Sequence, residues 1–220
     1  RHLDALSEEP GFAGMSMGES FMPAGLPTVW TPGKVPADQP DIAWPLEPNT
    51  DLVLQLHMLP SGKPEQVQPE VGFYFTDQPS KLHATTVMLE AAEIDIPPGA
   101  TDYQIEDEFE LPVDVRVIGV FPHAHLLGKS FKCYATLPGG QRVWLLSIPK
   151  WNFDWQEEYR YQEPIKLPAG SRLRMEITYD NSAENVRNPH HPPQRVVMGD
   201  STKDEKGKVL RHVEVVEKQD

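Results

Sequence analysis

Between positions 171 and 179, Leu173, Met175, Ile177 and Tyr179 alternate strictly with Arg172, Arg174, Glu176 and Thr178. Successive side chains on a strand point to opposite faces, so this run predicts a strand with one buried face. The same period, less clean, predicts strands at 102–111, 115–121, 130–137, 142–147, 157–164 and 208–217, with Pro138, Gly139 and Gly140 turning a hairpin. Upstream it predicts strands at 51–58, where Leu52, Leu54, Leu56 and Met58 share a face, and at 71–76. Residues 82–93 fit two periods in part: Leu82, Leu89 and Ala92 suit a helical face, while Thr85, Thr86 and Val87 are β-branched and favour a strand, the reading taken here. Residues 1–49 sustain neither period and read as ordered loops or short strands broken by turns. Many short strands with no convincing amphipathic helix predict an all-β chain built from sandwiches. The Pro-Pro-Gly step at 97–99 predicts the seam between two units, residues 1–93 and 94–220.

Composition agrees with that architecture and narrows the partners. The 23 prolines among 220 residues are roughly double the usual ~5%, as short strands joined by turns require. A net charge of −13 argues against nucleic acid and anionic membrane surfaces as partners. No run approaches the ~20 apolar residues of a membrane span, and no signal peptide is visible. A chain that opens on Arg1 is expected to be a segment of something longer. Cys133, the single cysteine, sits in an alternating run and reads as a small buried hydrophobe rather than a reactive thiol.

The candidate chemistry gathers at the end of one apolar run. Val115, Val117, Ile118 and Val120 lead into Pro122-His123-Ala124-His125, followed by Leu126, Leu127 and Gly128. Residues i and i+2 of a strand point to one face about 6.5–7 Å apart, so His123 and His125 can turn their imidazoles to one ion. Imidazole suits copper, zinc, iron or nickel, and two histidines do not choose among them. His57 falls on the more polar face of its predicted strand, beside Val53 and Gln55, where a ligand or a hydrogen-bonded structural histidine fits equally well. Met15, Met17 and Met22 carry thioethers that could bind Cu(I) but more often fill gaps in packing. His190 and His191 lie in a proline-rich loop, and His83 and His212 have no partner at ligand spacing.

Three ordered motifs carry a resemblance. Asp51-Leu-Val-Leu-Gln-Leu-His57 with Pro60-Ser-Gly-Lys63, then Pro122 to Lys129, then Asn188-Pro189 with Gly199-Asp-Ser-Thr-Lys-Asp-Glu205, resemble the copper type II, ascorbate-dependent monooxygenases. That family includes peptidylglycine α-hydroxylating monooxygenase and dopamine β-monooxygenase, and the chain looks most like its bacterial relatives. The resemblance implies two antiparallel β-sandwich domains of jelly-roll type, the first incomplete here. It implies one copper on each domain and hydroxylation of an activated C–H bond of a small organic substrate by dioxygen and an external reductant. By the same likeness His123 and His125 map to the oxygen-binding copper and His57 to the electron-transfer copper. The chain would then be periplasmic or extracellular, with further domains of a longer parent protein as its neighbours.

Departures from the family pattern bear on activity. The family's adjacent histidine pair for the electron-transfer copper lies upstream of Gly11, where this chain has only His2. The family's methionine ligand follows the Asp-Glu of the last motif, and here Asp204-Glu205 is followed by Lys206, whose ammonium has no lone pair to give. Met198, His190 and His191 are the candidates for a replacement third ligand. Phe121 stands where the peptide-hydroxylating members carry a carboxylate-anchoring arginine, which makes peptidylglycine a poor substrate and Phe121 a wall of an apolar cleft. Two functions follow: a copper monooxygenase, or a non-catalytic copper-binding or interaction module that kept the fold and lost ligands.

Overall fold

The computed structural model describes residues 30, 46, 48–49, 52–54, 56, 58, 61–78, 84–91, 93–199 and 201–215, the side chains of residues 84 and 210–212 excepted. The chain divides into two compact units: Arg1–Pro27 with Gln39–Lys81, and Thr28–Asp38 with Leu82–Asp220. Among the described residues of the first unit no strand is formed: 71–76, expected as a strand, are not one, nor are 52–54, 56 and 58 of the strand expected at 51–58, whose other residues lie outside the described set. The reason is physical: alternation supplies a face, but a strand also needs a neighbour for its N–H and C=O groups, and these segments have none among the described residues. Phe73, Tyr74 and Phe75 are accordingly exposed.

The second unit is an all-β sandwich. Its strands are β1 (Ala84–Glu90), β2 (Asp95–Ile96), β3 (Tyr103–Glu110), β4 (Val115–Ala124), β5 (Gly128–Thr136), β6 (Arg142–Ile148), β7 (Tyr159–Leu167), β8 (Arg172–Tyr179), β9 (Val196–Val197) and β10 (Gly207–Val215). One four-stranded antiparallel sheet runs β1-β10-β4-β7 and the other β3-β8-β5-β6, while β2 and β9 form a small ribbon. That order is the jelly-roll arrangement, in which the chain passes back and forth between two sheets. Within the strand expected at 82–93, Ala84–Glu90 form β1, which pairs along its whole length with β10, while Ala91 and Glu93 lie outside it. The core between the sheets takes Leu89, Val115, Val117, Val120, Leu167, Val209 and Val213 from one side, and Phe131, Cys133, Leu173, Met175, Ile177 and Tyr179 from the other. Cys133 is fully buried, in keeping with its reading as a small hydrophobe.

Strand β4 carries the feature that positions the site. Its register shifts at Ile118 against both neighbours: against β10, Val117 pairs with Val213 and Gly119 with the adjacent His212, whereas against β7, Val117 pairs with Ile165 and Gly119 with Arg160, so on that side the extra residues belong to β7. Against β10, Ile118 is therefore an extra residue, a bulge. Before it, Val115 and Val117 face the core; after it, Val120 and Ala124 do. The change of phase turns Phe121 and His123 to the opposite face.

Candidate metal site

His123 is the penultimate residue of β4 and His125 follows its last, Ala124, so the two rings meet where the strand turns toward β5. Their centroids are 5.2 Å apart and the planes stand at 83°. Two imidazoles sharing one ion at about 2.0–2.1 Å must keep their centroids within about 6.5 Å, and this pair does.

Each ring is held by its Nδ1. That of His125 lies 3.0 Å from the Asp204 carbonyl oxygen, which can only accept, so Nδ1 carries the proton of the neutral ring. That of His123 lies 2.6 Å from Gln156 Oε1, and the Gln156 amide is oriented in turn by donating to the Phe153 carbonyl at 3.0 Å. In both neutral rings Nε2 keeps the lone pair. Phe153 also sets its ring edge-on to His125, at 6.3 Å and 88°. Gln156 and Phe153 come from the segment joining β6 to β7 and Asp204 from the one joining β9 to β10, and a glutamine 33 residues from its histidine leaves no local sequence signal.

Glu205 holds the turn itself. Its fully buried carboxylate accepts the backbone N–H groups of His125, of Leu127 at 2.9 Å and of Lys206 at 3.1 Å. The His125 carbonyl accepts the Trp151 indole N–H at 3.3 Å, so this histidine is tied at N, O and Nδ1. Gly128 is required nearby, because a Cβ there would lie 2.6 Å from Trp151 Cδ1.

Burial keeps both rings neutral. It lowers the His123 pKa to about 4, against the Gln156 bond and with help from the charges of His125, Lys206 and Lys208. It also lowers the His125 pKa, against hydrogen bonds to the Asp204 and Ser201 backbone and with help from Lys206. His123 thus resists protonation when folded and accepts it near 6.5 when unfolded, so the stability it contributes is complete above 6.5 and lost as pH falls toward 4. Between pH 6.5 and 5 this amounts to about 2 kcal/mol. Denaturant midpoints at pH 7 and pH 5 should diverge less in His123→Gln than in the wild type; equal divergence would remove His123 from the account.

The remaining candidates are distributed as follows. Lys206 is buried, and its charge acts on both rings. Met198 is 40% exposed and its backbone is bridged to Glu205, next to the brace. Phe121 is buried on β4 two residues before His123. His190 is half-buried in its loop, with its backbone N–H on Asn188 Oδ1 at 3.0 Å, and His191 is exposed. Among the described residues no group of three or more His, Cys, Asp and Glu could hold one ion, so neither His190 nor His191 joins the pair. His57, Met15, Met17 and Met22 lie outside the described residues. As a donor set for copper, the two neutral imidazoles fit, and the position after Asp204-Glu205 is filled by a cation.

No family model matches this chain, and no curated protein matches it in sequence. Among solved structures it is similar to one of infectious bursal disease virus, Gt strain, at 11% identity and a TM-score of 0.28, covering 67% of this chain and 46% of that one. A second, of the Gx strain of the same virus, has 8% identity, a TM-score of 0.25 and coverage of 61% and 41%. The chain spans less than half the length of either, and likenesses this slight carry no argument.

Proposed function

We propose that this chain is a copper-dependent monooxygenase that hydroxylates a C–H bond of a small organic substrate with dioxygen and an external reductant. The observation that carries the reading is the pair of Nδ1 anchors, the outer-shell arrangement by which proteins orient metal-binding imidazoles. His123 and His125 would hold the oxygen-binding copper through Nε2. Bound copper would supply the redox chemistry that amino-acid side chains lack. The chain's own residues orient and shield: Glu205 sets the turn, Gln156 and Asp204 set the rings, and burial keeps both lone pairs unprotonated. Phe121 supplies apolar surface on the substrate side. His57 as a ligand of a second, electron-transfer copper, and a periplasmic or extracellular setting, belong to the same proposal and rest on the three motifs.

Lys206 favours a second reading. Its charge reaches both rings, opposes a cation there and replaces the soft donor that favours Cu(I). A copper-binding or interaction module without turnover would look like this.

Copper loading followed by ascorbate and oxygen-electrode measurements separates the readings. The wild type should retain copper that His123→Ala and His125→Ala lose. Oxygen uptake above that of free copper supports the monooxygenase, retained copper without uptake supports the copper-binding module, and failure to retain copper sinks both of these and leaves the interaction module. Lys206→Met should raise Cu(I) affinity about tenfold over Lys206→Leu, which removes the charge without adding sulfur. Equal affinities would place residue 206 outside the ligand positions.

A further inference from the structure

The segment between β6 and β7 that anchors the His123 imidazole also builds a cleft of its own. Ile148, Lys150, Trp151, Asn152, Trp155 and Tyr159 line a volume of about 230 Å³. At the 20–30 Å³ that a small group takes up in a condensed phase, this holds roughly ten non-hydrogen atoms.

The aromatic walls are fixed in place. Trp151 is buried and packs on Phe131 with centroids 4.6 Å apart. Trp155 is 62% exposed, yet its side chain is hydrogen-bonded to Tyr159 and its backbone N–H donates to the Asn152 carbonyl at 2.9 Å. An indole held still with much of its surface in water forgoes hydrophobic stabilisation that a ligand ring would recover, with little further loss of side-chain freedom.

The polar lining favours an anion. Lys150 is exposed and has no ion-pair partner among the described residues, and the six lining residues carry one positive charge and no negative one in a chain of net −13. Asn152 Oδ1 accepts the Asp154 N–H at 3.2 Å, which leaves the Nδ2 group to donate. Nearby carboxylates are largely engaged: Asp154 pairs with Arg187 at 2.9 Å and Glu158 with Arg160 at 3.0 Å. Glu157, whose charge reaches the Tyr159 phenol, is the opposing group.

We propose that this cleft binds a small aromatic carboxylate, with its ring against Trp155 and Tyr159 and its carboxylate toward Lys150 and the Asn152 amide. The site needs neither copper nor the imidazole pair.

Phenylacetate is the probe, with 2-phenylethanol as its neutral counterpart and glucuronate as a non-aromatic carboxylate. Indole fluorescence, excited where none of the three absorbs, should respond saturably to phenylacetate with a Kd near a millimolar, as befits about ten atoms. Trp155→Ala should weaken binding about tenfold. Lys150→Gln should weaken phenylacetate about three- to tenfold without changing 2-phenylethanol, and Glu157→Gln should tighten phenylacetate about twofold. Unchanged thermal midpoints confirm that these variants, all at partly or fully exposed positions, remain folded. The proposal is overturned by the absence of a saturable response. It is overturned equally by 2-phenylethanol or glucuronate binding as tightly as phenylacetate, or by an unchanged affinity in folded Trp155→Ala or Lys150→Gln.

Discussion

Replacing Glu205 by alanine is expected to destabilise the sandwich by about 3–5 kcal/mol. The carboxylate is fully buried and serves three backbone N–H groups, those of His125, Leu127 and Lys206. Each donor left without a partner inside a protein costs about 1–3 kcal/mol, reduced where water enters the vacated space. Glu205→Gln is the sharper test because it keeps the volume. Its amide turns one N–H2 group toward N–H donors and should cost about 2–3 kcal/mol. Urea midpoints at pH 8 measure both, and a loss below about 1 kcal/mol for alanine would show that the turn does not depend on this side chain. The pH dependence carries a second signature. Burial raises the Glu205 pKa to about 7, against the N–H bonds of Lys206, His125 and Leu127. The folded state therefore holds this proton longer than the unfolded state, and the contribution of Glu205 to stability falls as pH rises from about 4.5 to 7. His123 runs the other way below 6.5. Glu205→Gln should thus steepen the gain in stability between pH 5 and 6.5, and His123→Gln should flatten it.

Asn181→Asp is expected to cost a comparable amount, about 3–5 kcal/mol, and Asn181→Ala about 2–4 kcal/mol. Asn181 is fully buried, and its Nδ2 faces the carbonyls of Gln194 at 2.7 Å, Pro97 at 3.1 Å and Ile96 at 3.3 Å. Its Oδ1 accepts from Asn188 Nδ2 at 2.9 Å, and Asn188 also donates to the Ser182 carbonyl. One amide thereby ties the end of β2, the loop after β8 and the approach to β9 into a single knot. An aspartate there would set a carboxylate against three carbonyl oxygens, with no donor to replace the lost N–H2. Thermal unfolding with amide exchange at Val196 and Val197 reads the effect. If Asn181→Asp unfolds within about 1 kcal/mol of the wild type, the knot is not what holds β9.

The sandwich strands were legible because their alternation coincides with their burial. Strand β8 matches the run at 171–179, and its Leu173, Met175, Ile177 and Tyr179 are all fully buried. Strands β3 to β7 and β10 lie within a few residues of their expected bounds, for the same reason. The two-residue strands β2 and β9 were not legible, since two residues cannot show a period. In the site, the imidazole pair could be read from spacing, whereas Gln156 and Phe153 could not. Their roles arise from a loop that folds back across the sheet, and nothing near them in sequence signals a histidine. Glu205 lies within the last of the three motifs, but two of its three N–H partners, His125 and Leu127, are about 80 positions away in the chain and became visible only in the fold.

The single extra residue in β4 makes access to the imidazoles a question of parity. Odd-numbered positions point inward up to Val117, and even-numbered ones do so from Val120 onward. Any insertion or deletion of one residue between Ile118 and Pro122 that is not absorbed by a compensating bulge would exchange the two sets. The core would then receive His123 in place of Ala124, and the outer face would present Pro122 and a methyl group where an imidazole now stands. The chemistry of this face therefore depends on counting: one residue, contributing no ligand atom itself, decides on which side of the sheet every later side chain of the strand emerges.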